Sequence, residues 1–381
     1  SARFSWGLEG LRPQHLKDMT RQCYQETLQS VLNVRMTESV WNQAVLPVSR
    51  GGLGIRAATH VALPAFLSSV TSAESLTVQL LPPRLHPTAG ISDPLFEQAV
   101  IEWQLRSNAA LPNLPQRAIQ KAWDSPLLDV VSARVLSAAQ TQAGFARLTA
   151  AAAPFAGAFL EAIPCSAVGT RMDNSSFRIA AALRLGAEIC SPHNCICGAP
   201  VDSSGVHGLS CRKSSGRQIR HSAVNGIIKR ALASAEVPAR LEPSSLSRDD
   251  GKRPDGMSMM PWKEGRCLIW DFTCADTLAQ SHLDRAVLRA ATVADDAEQR
   301  KRQKYVSLSA TYYFVPICIE TLGPMGEEAA AFFADVGQRI ATATGEPRSK
   351  TFLMQRLSIA VQQGNAACVL GTVPMSTDLY I

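Results

Sequence analysis

The sequence predicts an α+β protein whose N-terminal half is mostly helical and whose C-terminal half sets a small sheet among helices. Three observations carry this. Apolar residues recur every three or four positions in 16–32, 96–105 and 177–185, the spacing of one helix face. Short apolar runs replace that spacing at 257–260, 267–272 and 309–320, with a turn sequence between the first two. Between the halves, a cluster of Cys and His interrupts both patterns. A hydrophobic fraction of 46% beside 18% charged residues is enough to bury a core in two or three domains. No run reaches the roughly 20 apolar residues of a membrane span. Ten cysteines in 381 residues are too sparse for a disulfide framework; Cys23, Cys165, Cys267, Cys318 and Cys368 sit mostly in apolar settings, as core thiols do. The first residues hold no long apolar block, so no signal peptide is expected. A first residue of Ser rather than Met is expected of a piece of a longer polypeptide.

Residues 1–85 read as helical. A helix over 16–32 is followed by a short one capped by Thr37, carrying Val40, Trp41 and Ala44 and stopped by Pro47. Residues 49–55, Ser-Arg-Gly-Gly-Leu-Gly-Ile, form a glycine-rich turn; a phosphate loop would need a lysine after the glycines, which is missing. A helix resumes over 60–70, kinked at Pro64. Residues 86–188 form a second helical unit. A loop with Pro82, Pro83 and Pro87 leads into it; it has a helix over 93–108 and continues as alanine-rich helices over 116–163, broken near Pro126 and Pro154. Asp173 then caps a helix that carries Arg178 and Arg184; these two could meet phosphates or could be ordinary helix-surface arginines.

Residues 189–212 carry the skeleton Cys195-x-Cys197-x9-His207-x3-Cys211. Two close ligands, a loop, then two more is how a short segment surrounds a tetrahedral zinc, and thiolate with imidazole suits that metal. Cys190 or His193 could stand in for Cys195. With all four positions filled by the chain, the zinc would be structural.

Residues 213–325 give the order α-β-β-β-α-β: a helix over 218–235, a strand over 239–242, a hairpin over 253–273 turning at 261–265, a helix over 283–304 and a strand over 309–320. Residues 326–381 add two helices, over 326–344 and 348–363, the second stopped by Gly364 and Asn365. Within the hairpin, Asp255 opens the first strand and Asp271, sixteen positions on, ends the second. In an antiparallel pair the start of one strand lies beside the end of the next, so the two carboxylates can converge, an arrangement that suits a hard divalent cation. An Asp after Pro is also an ordinary turn residue. Residues 212–304 hold 18 Lys and Arg against 12 Asp and Glu, which is the whole net charge of +6. That excess around the hairpin favours a polyanionic partner.

These residues resemble the restriction-like, PD-(D/E)xK nuclease core of early-branching non-LTR retrotransposon polyproteins, in which a reverse transcriptase is followed by a CCHC zinc knuckle and the nuclease. The matching phrases are Trp41…Leu46-Pro47 and Gly51-Gly52-Leu53-Gly54, in a region that looks like the thumb of a polymerase; the knuckle of Cys195, Cys197, His207 and Cys211; and Arg220-His221, Arg253-Pro254-Asp255-Gly256, Trp270-Asp271-Phe272-Thr273 and Asp276-Thr277. Thr273 stands where the lysine of the signature should be. The resemblance implies that the lysine comes instead from the following helix, as Lys304 or Lys301.

From the resemblance, the chain is expected to be a Mg²⁺-dependent endodeoxyribonuclease that nicks target DNA to prime reverse transcription, acting in the nucleus with DNA and retrotransposon RNA as partners and with no membrane. Asp255 and Asp271 would hold Mg²⁺, with Glu242 as a third carboxylate. Arg178, Arg184, Arg220, His221 and Arg253 would hold nucleic-acid phosphates. A structural Zn²⁺ would sit in the knuckle. No Tyr/Phe-x-Asp-Asp signature occurs, so this chain alone is not expected to polymerise DNA. The alternative is a catalytically inactive nucleic-acid-binding remnant, or a domesticated protein, of the same origin.

Overall fold

The structure, a computed structural model, describes residues 13–80, 82, 94–113, 119–246 and 253–373. It is α+β, mostly helical around a small mixed sheet. The N-terminal helices are α1 (Pro13–Leu32), α2 (Glu38–Ala44), α3 (Ala58–Leu80), α4 (Pro94–Ser107), α5 (Ile119–Ser137), α6 (Gln142–Ala151), the single turn α7 (Ala158–Glu161) and α8 (Asn174–Leu185). Caps set two of their starts as the sequence implies: Thr37 accepts from the Val40 N–H, and Asp173 from the Ser176 N–H. The proline loop falls, apart from Pro82, outside the described residues. The break expected at Pro126 does not occur. Helix α5 runs through it, with Trp123 and Leu127 on either side packed against Trp103 and Leu67, and that burial outweighs one lost backbone bond.

A two-stranded ribbon of β1 (His193–Asn194) and β2 (Pro200–Val201) leads to the short helix α9 (His207–Ser210). Next come α10 (Gly216–Ser234), β3 (Ala239–Leu241), β4 (Gly256–Lys263), β5 (Arg266–Ala275), α11 (Leu283–Ala286), α12 (Thr292–Lys304), β6 (Tyr313–Glu320), α13 (Glu327–Thr344) and α14 (Ser349–Leu370). The strand order is β3-β4-β5-β6, antiparallel except for the parallel pair β5 and β6, which α12 connects.

Side-chain alternation along β5 divides the molecule. Leu268, Trp270 and Phe272, with Val315, Ile317 and Ile319 of β6, form the main core against α10, α13 and α14. Ile269 packs with Phe314 and Tyr305 on the opposite face, and Cys318 meets Ala294 and Ala297 of α12 there. Asp271 shares that second face. The hairpin turn is tighter than expected: Lys263 pairs with Arg266, and Glu264 and Gly265 both have positive φ, as a two-residue turn requires. Strand β4 runs on through Pro261, at a register irregularity, because Trp262 is buried against Phe332 with the Arg339 guanidinium over its ring.

Two helix boundaries differ from expectation. The helix over 283–304 is split, with Ala291 in the left-handed region at φ 70°. The break turns the start of α12 toward Glu320, whose carboxylate accepts from the Ala294 N–H. Helix α14 is not stopped by Gly364 and Asn365. A Cβ at Gly364 would lie 2.4 Å from the Arg220 Cβ, and one at Gly216 would lie 2.4 Å from the Cys368 backbone nitrogen. Glycine here lets α10 and α14 pack in close contact, and Asn365 donates to the Thr321 carbonyl. Residues 326–370 thus share one core with 213–325.

Candidate functional site

Three groups of residues carry chemistry, and the first is the Cys/His cluster. The ribbon folds Cys195 and Cys197 into one turn, in which the Cys195 N–H donates to the Ala199 carbonyl and the Gly198 N–H to the Cys195 carbonyl. Helix α9 brings His207 and Cys211 to one side, four residues apart. The donor atoms of Cys195, Cys197, His207 and Cys211 all lie within 4.8 Å of one another. Cys195 and Cys211 Sγ are 3.7 Å apart, and Cys197 Sγ and His207 Nε2 are 3.3 Å apart. Bond lengths of about 2.3 Å to sulfur and 2.0 Å to nitrogen place tetrahedral ligands roughly 3.8 and 3.6 Å apart, so the set could hold a metal such as zinc. The Ala199 N–H draws the Cys197 thiol down to about 6, while burial pushes Cys195 up to about 11. The open alternatives go elsewhere: the Cys190 thiol faces the Asp202 carbonyl, and His193 Nε2 faces Thr372 Oγ1.

The second group is the acid pair. Gly256 pairs with Trp270, so Asp255 stands opposite Asp271, and the Asp255 N–H donates to the Trp270 carbonyl at 2.9 Å. Asp255 Oδ2 accepts from the Phe272 N–H at 2.6 Å and lies 3.2 Å from His221 Nε2. Asp271 Oδ2 is ion-paired with Lys301 of α12, and Lys304 Nζ lies 3.9 Å from the same oxygen. Lys304 also donates to the Tyr305 hydroxyl at 2.9 Å, and that hydroxyl donates to the Arg253 carbonyl.

The two acids are driven apart in acidity. Burial works to raise Asp255, but the His221 bond and charge, with the Phe272 N–H, bring it below the usual carboxylate range. At Asp271 burial wins, helped by the Asp255 charge and opposed by Lys301, and its pKa is raised. The bond to Asp255 raises His221 above its ordinary value against the pull of burial.

The arginines are differently placed, and two of the five-residue phosphate-holding set, Arg184 and Arg220, are buried. Arg184 is buried; it donates to the carbonyls of Gly52 and Val48 and so latches the glycine-rich turn of 49–55. Arg220 is 2% exposed and donates to Asn365. Arg178 donates to the Val31 carbonyl. Arg253 pairs with Glu242, so the Glu242 carboxylate is drawn to a guanidinium instead of joining the two aspartates. Among the described residues, the only grouping of three or more potential metal donors is the Cys/His cluster.

Sequence reasoning assigned His221 only a phosphate-holding part and missed its bond to Asp255. The helical spacing held the signal: His221 and Asn225, four apart on α10, share the face toward β5, where Asn225 accepts from the Trp270 indole N–H. Also missed was the third group, two buried carboxylates that serve as helix caps. Glu298 accepts from the Ala329 and Glu328 N–H groups at the start of α13, and Glu320 does so for α12. Burial pushes both to about 7.

No described helix is long and apolar enough to cross a membrane. No protein-family model matches the chain, and no curated protein matches it.

Proposed function

We propose that the chain is a metal-dependent DNA endonuclease, with residues 213–325 as a restriction-like nuclease core, the Cys/His cluster as a zinc knuckle beside it, and a non-LTR retrotransposon as its origin. The observation that carries the reading is the meeting, at one point of β5, of two facing aspartates with a lysine from the crossover helix. Lys301, ion-paired with Asp271, would serve as the lysine that the strand, with Thr273, does not supply.

Asp255 and Asp271 would hold Mg²⁺, which commonly takes only one or two carboxylates and fills its remaining positions with water and phosphate oxygens. Bound there, it would polarise a phosphodiester and lower the pKa of the attacking water. His221 keeps Asp255 ionised and fixes its orientation. The Lys301–Asp271 pair would hold the ammonium beside a phosphate bound there, where it would stabilise charge developing on the oxygens in flight. Lys304, tethered to Tyr305, supplies a second positive charge behind it. Duplex DNA and element RNA would be the partners, and the nucleus the place of action. The test is conversion of supercoiled plasmid to open circle with Mg²⁺, which Asp271→Ala should abolish.

A further inference from the structure

Beside His221, a cleft of about 300 Å³ opens between the start of α10 and the end of β5, lined by Arg212, Ser214, Arg217, Gln218, Arg220 and His221 against residues 272–274. Its chemistry is one-sided. Arg212 and Arg217 are exposed and have no ion-pair partner among the described residues. Helix α10 is 19 residues long; no side chain caps its N-terminus, and its first turn carries no acidic residue. Two polar atoms deep in the wall lack a hydrogen-bond partner: Nε of Arg220, which is 2% exposed, and Oγ of Ser214, which is 7% exposed. A buried donor left without a partner costs roughly 1–3 kcal/mol, so such atoms beside an uncapped helix start and two unpaired guanidinium groups mark a place for an oxyanion.

We propose that this cleft binds a backbone phosphate of the nucleic-acid strand, next along the strand from the one presented to Asp255 and Asp271. The inference rests on the nucleic-acid reading above and deepens it by assigning the strand's path, from the loop after the Cys/His cluster, past His221, to the acid pair. Arg220, expected from the resemblance to hold a phosphate, takes part from the interior. It is held by Asn365, and its Nε has no hydrogen-bond partner.

The experiment measures binding of a fluorescein-labelled 20-mer DNA to the full chain without added divalent cation, across a salt series. The Arg212→Ala/Arg217→Ala variant should bind at least about tenfold more weakly, with its log–log salt slope reduced by about two, one for each lost phosphate-facing cation. Arg348→Ala removes an exposed arginine paired with Glu346 far along the chain and should change neither quantity. Both altered arginines are exposed, so the melting temperature should not move. Unchanged affinity and slope in the double variant would overturn the proposal. Displacement of the strand by inorganic phosphate beyond the effect of chloride at equal ionic strength, in the unaltered protein and not in the double variant, would support it, since phosphate then competes with the strand for this cleft. Binding is measured without divalent cation and nicking is scored apart from it, so the cleft and the nuclease reading fail separately.

Discussion

Lys301 of α12 forms an ion pair with Asp271 of β5 across thirty residues of sequence, on the face of the sheet turned away from the main core. Strand alternation puts Asp271 on that face, and the parallel return of the chain through α12 brings the lysine over it. This pairing gives the acid site a cation that the strand itself lacks.

Removing that cation should slow nicking more than removing its neighbour. Lys301→Ala should lower the single-turnover rate by about 100-fold. Lys304→Ala, whose ammonium is 3.9 Å from Asp271 and bound to Tyr305, should lower it by less than about tenfold. Equal losses would remove the distinction between the two lysines.

The Cys/His cluster should bind one zinc per chain. Cys197→Ser and His207→Ala should lose the metal and lower the melting temperature by roughly 10 °C, because binding free energy at such a site is folding free energy. Cys190→Ser and His193→Ala should keep it. Metal content of the purified variants decides between the two sets.

Glu298 should make the fold less stable as pH rises. Its folded pKa, about 7, lies above its unfolded value near 4.5, so the folded state holds the proton longer. Its contribution is full below about pH 4.5, fades as pH climbs, and is lost above about pH 7. Glu298→Gln keeps an acceptor for the α13 N–H groups and should flatten the stability profile over that window. Urea midpoints at pH 5 and pH 8 measure this.

The His221–Asp255 pair has a window bounded on both sides. Asp255 is lowered, so its contribution is present above the unfolded carboxylate pKa of about 3.9 and is lost as pH falls through the folded value. His221 is raised, so its contribution is full below about 6.5 and is lost as pH rises through the folded value. His221→Gln should leave nicking at pH 8 less affected than at pH 6, when rates are compared with the unaltered protein at each pH.

Gly364→Ala should destabilise the core by about 1–3 kcal/mol, because the new methyl group would meet the Arg220 side chain at 2.4 Å. Thermal melting measures the loss. A neutral result would mean that α10 and α14 can separate without cost.

Features that depend on local spacing were legible in the sequence. The Cys-x-Cys turn and the helical turn of His207 and Cys211 are short-range, and so is the hairpin that sets Asp255 opposite Asp271. The arginines were not. Whether Arg184 or Arg220 faces water depends on acceptors far away in the chain, the carbonyls of Val48 and Gly52 and the side chain of Asn365. Nothing in the helix around either residue announces them. Gly364 reads as a helix stop on propensity, yet it is required by a helix that crosses it from 144 positions earlier, and tertiary packing overrides the local preference.

The most direct measurement is single-turnover nicking of supercoiled plasmid in Mg²⁺ by the unaltered chain and by Asp255→Ala and Asp271→Ala, with duplex binding recorded for each. If Asp255 and Asp271 hold the metal, the unaltered chain gives Mg²⁺-dependent open circle, and both variants lose at least about 100-fold while binding persists. Nicking at an unchanged rate by the two variants, or none by the unaltered chain while it still binds the duplex, would contradict it.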